Sequence, residues 1–462
     1  MSPSIPIAMN RLRASPIETL GYGVLLLYLF LYVSRVIVEF LLSGMRIQLI
    51  LTVAFLLCAI IGGRLAMILQ SRLGWLIGIF TVWVGVCVPF SVWKGGSAQV
   101  FLEAFRSLLV LLSIVGLTST TGRWLKLTGA IGFAIAVAAV FSLFKGDFRA
   151  AERLALEEGM LGDPNFYCWY LIIGLPILWG ISRNAVTRMG KVGVLLLTIP
   201  VWGAAVATGS RSGFVAAAAM MAVFFFRSSA ARKVRLAVAT VLFVLVASMV
   251  FSGYIIARFT TLFGVSASNT LDEDEVAMLG SAVGSTGSRI YLFWRSVEFT
   301  VRNPLFGVGP GQFMVAEADD AEAKGIRAAW HETHNTYTQI SSETGIPGGV
   351  LFIAALVMAY RTLTRIRKTN FPATMEHAEK VGIMASYLQL SFIATLVGAL
   401  FLSVGYGGLL YVFIGLAASL QAIVERELAS ATAAPPVAYR TGEPAAVLSR
   451  RSNGERPLSI SR

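Results

Sequence analysis

Histidine is the scarcest residue that could do chemistry here, and two of the three histidines, His331 and His334, lie together in WHETHNTY (330–337). A neutral imidazole near pH 7 can take a proton from a hydroxyl group, so this segment could supply a general base. Two other interpretations stay open. The histidines could be surface residues without a role, or they could bind a metal with Glu332 or Glu343, although the HExxH spacing is absent and no third ligand is evident.

A second candidate is Arg211, in TGSRSG (208–213) between two apolar segments. Its guanidinium is a planar fork that matches phosphate oxygens and stays charged. The flanking glycine and serine residues let backbone and hydroxyl donors approach the same anion. The sequence therefore indicates an anion site, and the alternative is an interfacial arginine that reaches toward lipid head groups.

A third candidate is Arg289, which precedes an amphipathic stretch at 290–301. The apolar residues recur at helical spacing, so we expect a helix with Arg289 at its start, and Ser288 would be its cap if the helix is only docked on a surface. A cation at a helix N-terminus is electrostatically unfavourable, and an anion held between Arg289 and the free backbone amides would relieve that conflict. The alternative is a helix docked on the surface of the bundle or membrane, with its arginines solvated.

Two further motifs have structural explanations. In GDPN (162–165), Asp163 is expected to cap a helix with Pro164 at its first position, and a role in sugar binding is the weaker alternative. The glycines of NPLFGVGPGQ (303–312) predict a tight turn. They do not form a nucleotide fingerprint, because no strand precedes them.

The elements that position these residues follow from composition. Of 462 residues, 56% are hydrophobic and 14% charged, with a mean hydropathy of +0.73, whereas soluble chains carry about 45–50% apolar and about 25% charged residues. This excludes soluble, disordered and fibrous classes. Cys58, Cys87 and Cys168 stand singly in apolar stretches, which indicates packing rather than a disulfide or zinc site.

The chain is predicted to be an all-α polytopic membrane protein with about twelve transmembrane helices. The first span follows basic residues without a small-residue cleavage site, so it is expected to be a retained anchor. Twelve segments are long and apolar enough to be candidate spans: 20–40, 46–62, 73–93, 99–118, 127–144, 164–182, 192–208, 212–226, 236–254, 347–361, 381–403 and 406–424.

Charge gives the orientation. With the N-terminus (1–19) inside, the inner segments carry 24 basic and 7 acidic residues, and the outer segments carry 14 basic and 18 acidic residues. The net charge of +13 is therefore the positive-inside pattern of an inserted protein and does not indicate a nucleic-acid partner. Spans one to nine (20–254) lead into a large outer loop (255–346) with the amphipathic helix. Spans ten to twelve (347–424) and a disordered basic cytoplasmic tail (425–462) follow.

Taken in order, these motifs resemble those of the O-antigen ligase and polymerase superfamily, membrane glycosyltransferases that take glycan from undecaprenyl diphosphate. The resemblance covers roughly residues 150–420, and the large outer loop between the ninth and tenth spans also fits. It rests on four pieces of sequence: GDPN (162–165), TGSRSG (208–213), the Arg289 stretch leading to NPLFGVGPGQF (303–313), and HNTYTQISSETGIPGG (334–349).

The resemblance implies a periplasm-facing cavity in the bacterial inner membrane, with both termini in the cytoplasm. Arg211 and Arg289 would bind the diphosphate, and His334 would be the catalytic base. His331 is an additional histidine that leaves the choice of base open. Secondary candidates for the site are His331, Tyr337, Glu343 and Asp163.

The implied partners are an undecaprenyl-diphosphate-linked glycan donor, a glycan or lipid-linked acceptor and membrane lipids. Other polysaccharide export proteins are candidate partners. We expect an inverting reaction without a cofactor or metal. Polymerisation of a surface polysaccharide, exopolysaccharide or O-antigen is slightly favoured over ligation to lipid A–core, and protein O-glycosylation is a third alternative. A twelve-span transporter is the alternative from another class, but neither related halves nor mid-membrane ionisable groups are evident.

Overall fold

The computed structural model describes residues 15–35, 47–64, 67, 71–149, 153–156, 159–250, 273–326, 328–371 and 377–433. In these residues the chain is almost entirely helical. The helices are α1 (Pro16–Ser34), α2 (Ile47–Ile61), α3 (Arg72–Cys87), α4 (Lys94–Leu117), α5 (Thr121–Lys145), α6 (Pro164–Asn184), α7 (Arg188–Leu196), α8 (Thr198–Ala207), α9 (Arg211–Phe226), α10 (Ala230–Val250), α11 (Glu273–Arg302), α12 (Phe313–Ala323), α13 (Thr336–Lys368), α14 (Ala378–Gly398) and α15 (Gly408–Ala433).

The remaining regular elements are short. Strands β1 (Asp147–Arg149) and β2 (Arg153–Ala155) form an antiparallel hairpin in which Phe148 lies opposite Leu154. Two 3₁₀ turns, Val88–Phe90 and Gly159–Gly162, follow α3 and precede α6.

The prediction of an all-α polytopic membrane protein is confirmed. Each of the twelve apolar segments overlaps a helix, and nine helices within the described residues are long and apolar enough to cross a membrane. Two more, α2 and α9, are apolar but shorter. The total of twelve crossings stays a prediction.

Helices α13 and α15 extend furthest beyond the predicted spans. The tenth span was expected at 347–361, whereas α13 begins at Thr336 and breaks at Gly345, where φ is 72°. The hydropathy pattern therefore found the lipid-crossing part and missed the polar turns before it. At the other end of the chain, α15 continues to Ala433, past the predicted end of the last span, while residues 434–462 of the expected tail lie outside the described residues.

The predicted start of the amphipathic helix is wrong. Ser288 does not cap a helix, because α11 is already helical from Glu273 and Arg289 lies in its interior. The backbone amides near Arg289 are therefore used within the helix and cannot bind an anion. Acidic residue types at 273–275 favour a helix start there, and the Gly and Ser residues that follow do not end it.

The bundle is built around α6. In this helix 83% of the apolar window is buried, compared with 28% for the segment Arg188–Ala207 that covers α7 and α8. Helix α6 packs mainly against α14, and α14 also packs against α9. Helix α13 packs against α3, and α4 packs against α15. One continuous apolar core therefore connects the helices whose ends carry the candidate site.

A smaller unit formed by α11 and α12 has its own core. Leu292 and Phe299 of α11 pack with Val308 and Phe313, separately from the core of the bundle. Charged groups surround this core: Arg295 pairs with both Glu298 and Asp320, Arg302 pairs with the same two carboxylates, and Lys324 pairs with Asp320. The cationic partners hold the pKa of Asp320 at about 2. This unit contacts the bundle mainly through α13.

The glycine-rich segment between α11 and α12 is a turn, as predicted, and the structure also attaches it to α13. The amide of Gly309 donates to the carbonyl of Glu343 (3.0 Å), and the amide of Gly311 donates to the Glu343 carboxylate (2.9 Å). Gly307 has φ 68°, and a Cβ there would lie 2.3 Å from the Glu343 carbonyl carbon. Only glycine permits this close approach.

Candidate active site

A cavity of about 580 Å³ opens where α9 and α13 begin and α14 has ended. Arg211, Arg289 and His334 all line it, although 123 residues separate the first from the last in sequence. The other lining residues are Ser212, Val215, Ile290, Phe293, Trp294, Thr333, Asn335, Leu400 and Phe401. The structure therefore brings the three main candidates of the sequence to one cavity with a largely apolar wall.

Arg211 is the first residue of α9, and the preceding turn is held by side chains from two motifs. Ser210 caps the helix by accepting from the amide of Gly213 (3.2 Å), and its hydroxyl donates to Asn165 Oδ1 (3.0 Å). Gly209 allows the turn with φ 56°. The GDPN and TGSRSG segments therefore form one structural unit that fixes the backbone of Arg211.

Arg153 completes this unit from strand β2 and was not predicted from the sequence. Its Nε donates to the carbonyl of Thr208 (2.8 Å), and one terminal nitrogen donates to Asn165 Oδ1 (2.9 Å). Because it lies in a short hairpin and outside any motif, its spacing gave no signal. It acts on the turn before Arg211 and is a positioning residue rather than part of the cavity wall.

Arg289 reaches the cavity from α11. Ile290, Phe293 and Trp294 lie on the same side of that helix and line the cavity with it, and Trp294 is 64% exposed. The part of the wall that α11 forms therefore combines one guanidinium with large apolar side chains.

His334 lies in the loop before α13 with φ 50°, a value that non-glycine residues rarely adopt. Its backbone amide donates to Ser403 Oγ (3.1 Å), which also bonds with the hydroxyl of Thr333 (3.1 Å). The next residue, Asn335, caps α13 by accepting from the amides of Tyr337 and Thr338 (3.0 and 3.1 Å). A left-handed residue next to a capped helix start directs the His334 ring into the cavity.

The start of α13 is bonded to the segment that follows α14. The Thr336 amide donates to the carbonyl of Ala399 (2.8 Å), and the Thr336 hydroxyl donates to that of Leu402 (2.5 Å). The Asn335 amide group donates to the carbonyl of Leu400 (3.2 Å). These contacts link residues more than sixty positions apart, so no local sequence pattern predicts Ser403 as a support of the loop before α13.

The charge state of His334 is set by its surroundings. Burial is the largest cause, and together with the positive charge of Arg289 it lowers the pKa of His334 to about 4, while Asp163 acts in the opposite direction. The imidazole is therefore neutral near pH 7 and has a free lone pair. It is available as a proton acceptor for a hydroxyl group.

Two secondary candidates lie near this site. His331 is exposed, and its ring centroid lies 6.2 Å from that of His334. Asp163 caps α6 by accepting from the amides of Asn165 and Phe166 (2.7 and 2.9 Å), with Pro164 at the first helical position as predicted. Asp163 therefore has a structural role and also an electrostatic effect on His334.

The other two secondary candidates contact backbone instead of the cavity. The hydroxyl of Tyr337 donates to the carbonyl of Leu396 (2.8 Å). The buried carboxylate of Glu343 accepts from the amides of Gly311 and Phe313 (2.9 and 3.4 Å). Neither residue lines the cavity. In the described part of the chain, no three His, Cys, Asp or Glu side chains lie together as a set of metal ligands.

Residues 193–353 match the model of a family described as O-antigen ligase. This part of the chain is therefore similar to the O-antigen ligase family. The O-antigen ligase segment contains Arg211, Arg289 and His334, whereas Asp163 precedes it and Ser403 follows it. No curated protein matches the chain.

The O-antigen ligase match supports the resemblance drawn from the motifs, and it covers all of them except GDPN. The apolar helices indicate a multi-pass membrane protein, and the match supports a glycosyltransferase of the O-antigen ligase/polymerase type. Substrates of this superfamily are lipid-linked glycans and membrane lipids.

Proposed function

We propose that this protein transfers an oligosaccharide from undecaprenyl diphosphate to an acceptor hydroxyl at the periplasmic face of the bacterial inner membrane. One observation carries the proposal: Arg211, Arg289 and a neutral His334 line the same cavity at one end of the bundle. The cavity thus combines the cations that a diphosphate requires with a base that an incoming alcohol requires.

The two arginines suit the leaving group. As the anomeric C–O bond breaks, negative charge develops on the lipid diphosphate, and fixed guanidinium groups stabilise that charge more in the transition state than in the ground state. Arg211 and Arg289 approach the cavity from different helices, α9 and α11, so a diphosphate between them would be held from two sides. This arrangement requires no metal ion.

His334 suits the acceptor. The acceptor oxygen attacks the anomeric carbon, its proton passes to the imidazole, and the bond to the diphosphate oxygen breaks with its electron pair. The base and the leaving group act on opposite faces of the sugar, which predicts inversion at the anomeric carbon. The apolar part of the wall, including Val215, Phe293 and Phe401, suits a polyprenyl carrier.

For the acceptor, we favour another lipid-linked repeat, which makes the protein a polymerase of a surface polysaccharide, exopolysaccharide or O-antigen. The alternative is ligation to lipid A–core, which the description of the matched family favours. In a deletion strain, loss of a polymerase should leave single repeats on the lipid carrier, whereas loss of a ligase should leave full-length unattached chains. Glycan analysis of lipid extracts and of the cell surface checks this.

The deletion experiment needs complementation with the wild-type gene, which should restore the normal products. An unchanged set of lipid-linked and surface glycans in the deletion strain would contradict both versions of the proposal. Glycoproteins that lose their glycan while polysaccharides stay normal would instead indicate a protein O-oligosaccharyltransferase.

The orientation is a separate part of the proposal, supported by the positive-inside pattern. Glu322 is exposed in the α11–α12 unit, and Arg235 is exposed on α10. In a Cys58→Ala background, where Cys87 and Cys168 are buried, we expect Glu322→Cys to react with a membrane-impermeant maleimide in cells with an opened outer membrane. Arg235→Cys should react only after the inner membrane is permeabilised. The reverse pattern would place the cavity on the cytoplasmic side.

A further inference from the structure

A second pocket lies at the end of the bundle opposite the His334 cavity. Its volume is about 380 Å³, and it lies between the start of α3 and the second half of α13. Arg361 lies roughly 24 Å along α13 from the break at Gly345, at the usual helical rise. The pocket therefore forms no part of the proposed active site.

Three arginines and an apolar wall line this pocket. Arg72 comes from the first turn of α3, and Arg361 and Arg365 lie one turn apart on the same face of α13. All three side chains are exposed, and within the described ranges none of them forms an ion pair. The apolar part of the wall is formed by Ala354, Val357 and Met358.

The polar groups beside the arginines are already bonded to one another. The hydroxyl of Thr362 donates to Gln421 Oε1 (3.3 Å), and Gln421 Nε2 donates to the carboxylate of Glu425 (2.8 Å). This carboxylate therefore interacts with an amide and not with the guanidinium groups. The pocket keeps an excess of positive charge.

The helix surface leading to the pocket is lipid-facing by composition and exposure. Ile346, Val350, Ile353 and Val357 follow one another at helical spacing on α13 and are 41–60% exposed. The next residue in this stripe is Arg361. An acyl chain lying along the stripe would therefore place its head group at the arginines.

Two features of α3 support the same position. Arg72 is the first residue of the helix, where a cation is unfavourable unless an anion is near, and a phosphate is well placed at a helix N-terminus. One turn later, Trp75 is 55% exposed, and exposed tryptophans concentrate at the depth of lipid head groups.

We propose that this pocket binds the phosphate of an anionic glycerophospholipid from the leaflet opposite the active-site cavity. The arginines bind the phosphate, and the stripe 346–357 contacts an acyl chain. Basic pockets between membrane helices are suited to such head groups. The inference does not depend on the proposed glycosyl transfer, because no residue of the His334 cavity takes part.

The full-length protein in detergent is titrated with phosphatidylglycerol and, separately, with phosphatidylcholine, and bound lipid is counted by native mass spectrometry. The wild type should bind phosphatidylglycerol in preference. The double variant Arg361→Gln/Arg365→Gln should lose about 30-fold in that affinity, as expected for two arginines near an anionic lipid. Arg72→Gln, on the other helix, should weaken it as well.

The matched control is Arg188→Gln/Arg235→Gln, which removes the same charge at the same end of the bundle from exposed residues outside the pocket. It should bind phosphatidylglycerol like the wild type. Equal losses in both double variants, or no loss in either, would overturn the proposal. Displacement of the lipid by millimolar inorganic phosphate would also overturn it, because the site would then recognise a free anion.

Discussion

Replacing His334 by alanine is expected to lower the rate of glycan transfer by about 10²–10⁴-fold, the usual contribution of a general base. The loss should appear in kcat, because the diphosphate contacts of Arg211 and Arg289 remain. The assay follows glycan transfer from a lipid-linked donor by the purified protein. The length and amount of the product give kcat. Normal transfer at normal protein level would remove the catalytic role.

The matched control is His331→Ala. His331 is exposed and its ring lies 6.2 Å from that of His334, so its loss should have a much smaller effect. If His331→Ala were inactive and His334→Ala active, the two histidines would exchange roles. If neither variant lost function, the transporter alternative would gain support, since a transporter requires no imidazole base.

The pH dependence provides an independent check on the same group. Because the pKa of His334 is lowered to about 4, the base is present above that value and is lost as the pH falls through it. The acid limb of kcat/KM, which reports the free enzyme, should therefore lie near pH 4 and well below the ordinary histidine range. Asp163 raises the pKa of His334, so Asp163→Asn should shift the acid limb of the kcat/KM profile to still lower pH.

The second large effect is expected at the two arginines. Arg211→Lys and Arg289→Lys should each lower transfer by about 10²-fold, a typical cost of removing one electrostatic contact to a developing charge. Lysine keeps the positive charge but cannot form the planar fork that holds two phosphate oxygens. The measurement is kcat and KM for the lipid-linked donor with each purified variant.

Arg302→Lys is the control for the arginine variants. Arg302 lies on the same helix as Arg289, is exposed, and pairs with Glu298 and Asp320 outside the cavity. A lysine can maintain these pairs, so activity should stay unchanged. Full activity in both Arg211→Lys and Arg289→Lys would exclude the two-sided binding of the diphosphate.

Hydropathy predicted the helices of the bundle well because it reports which segments can lie in lipid. Each predicted span overlaps a helix for this reason, and the break at Gly345 lies just before the predicted start of the tenth span. The same measure cannot detect polar helical turns before a span, so Thr336–Thr344 was missed as helix.

The site was predictable only as far as residue types reveal chemistry. Arg211, Arg289 and His334 stood out because they are charged or titratable residues whose positions neither hydropathy nor the positive-inside pattern explains. Glu343 stood out in the same way, but its carboxylate binds the amides of Gly311 and Phe313, which is a packing role. Ser403 was missed because its contact with the His334 backbone joins distant parts of the chain.

The α11–α12 unit makes the position of one arginine independent of the core of the bundle. Arg211 and His334 are anchored in the membrane bundle, whereas Arg289 belongs to a unit with its own small core and its own ion pairs. Because this core is separate from that of the bundle, a substitution that loosens it is expected to displace Arg289 and to leave the bundle that holds Arg211 and His334 intact.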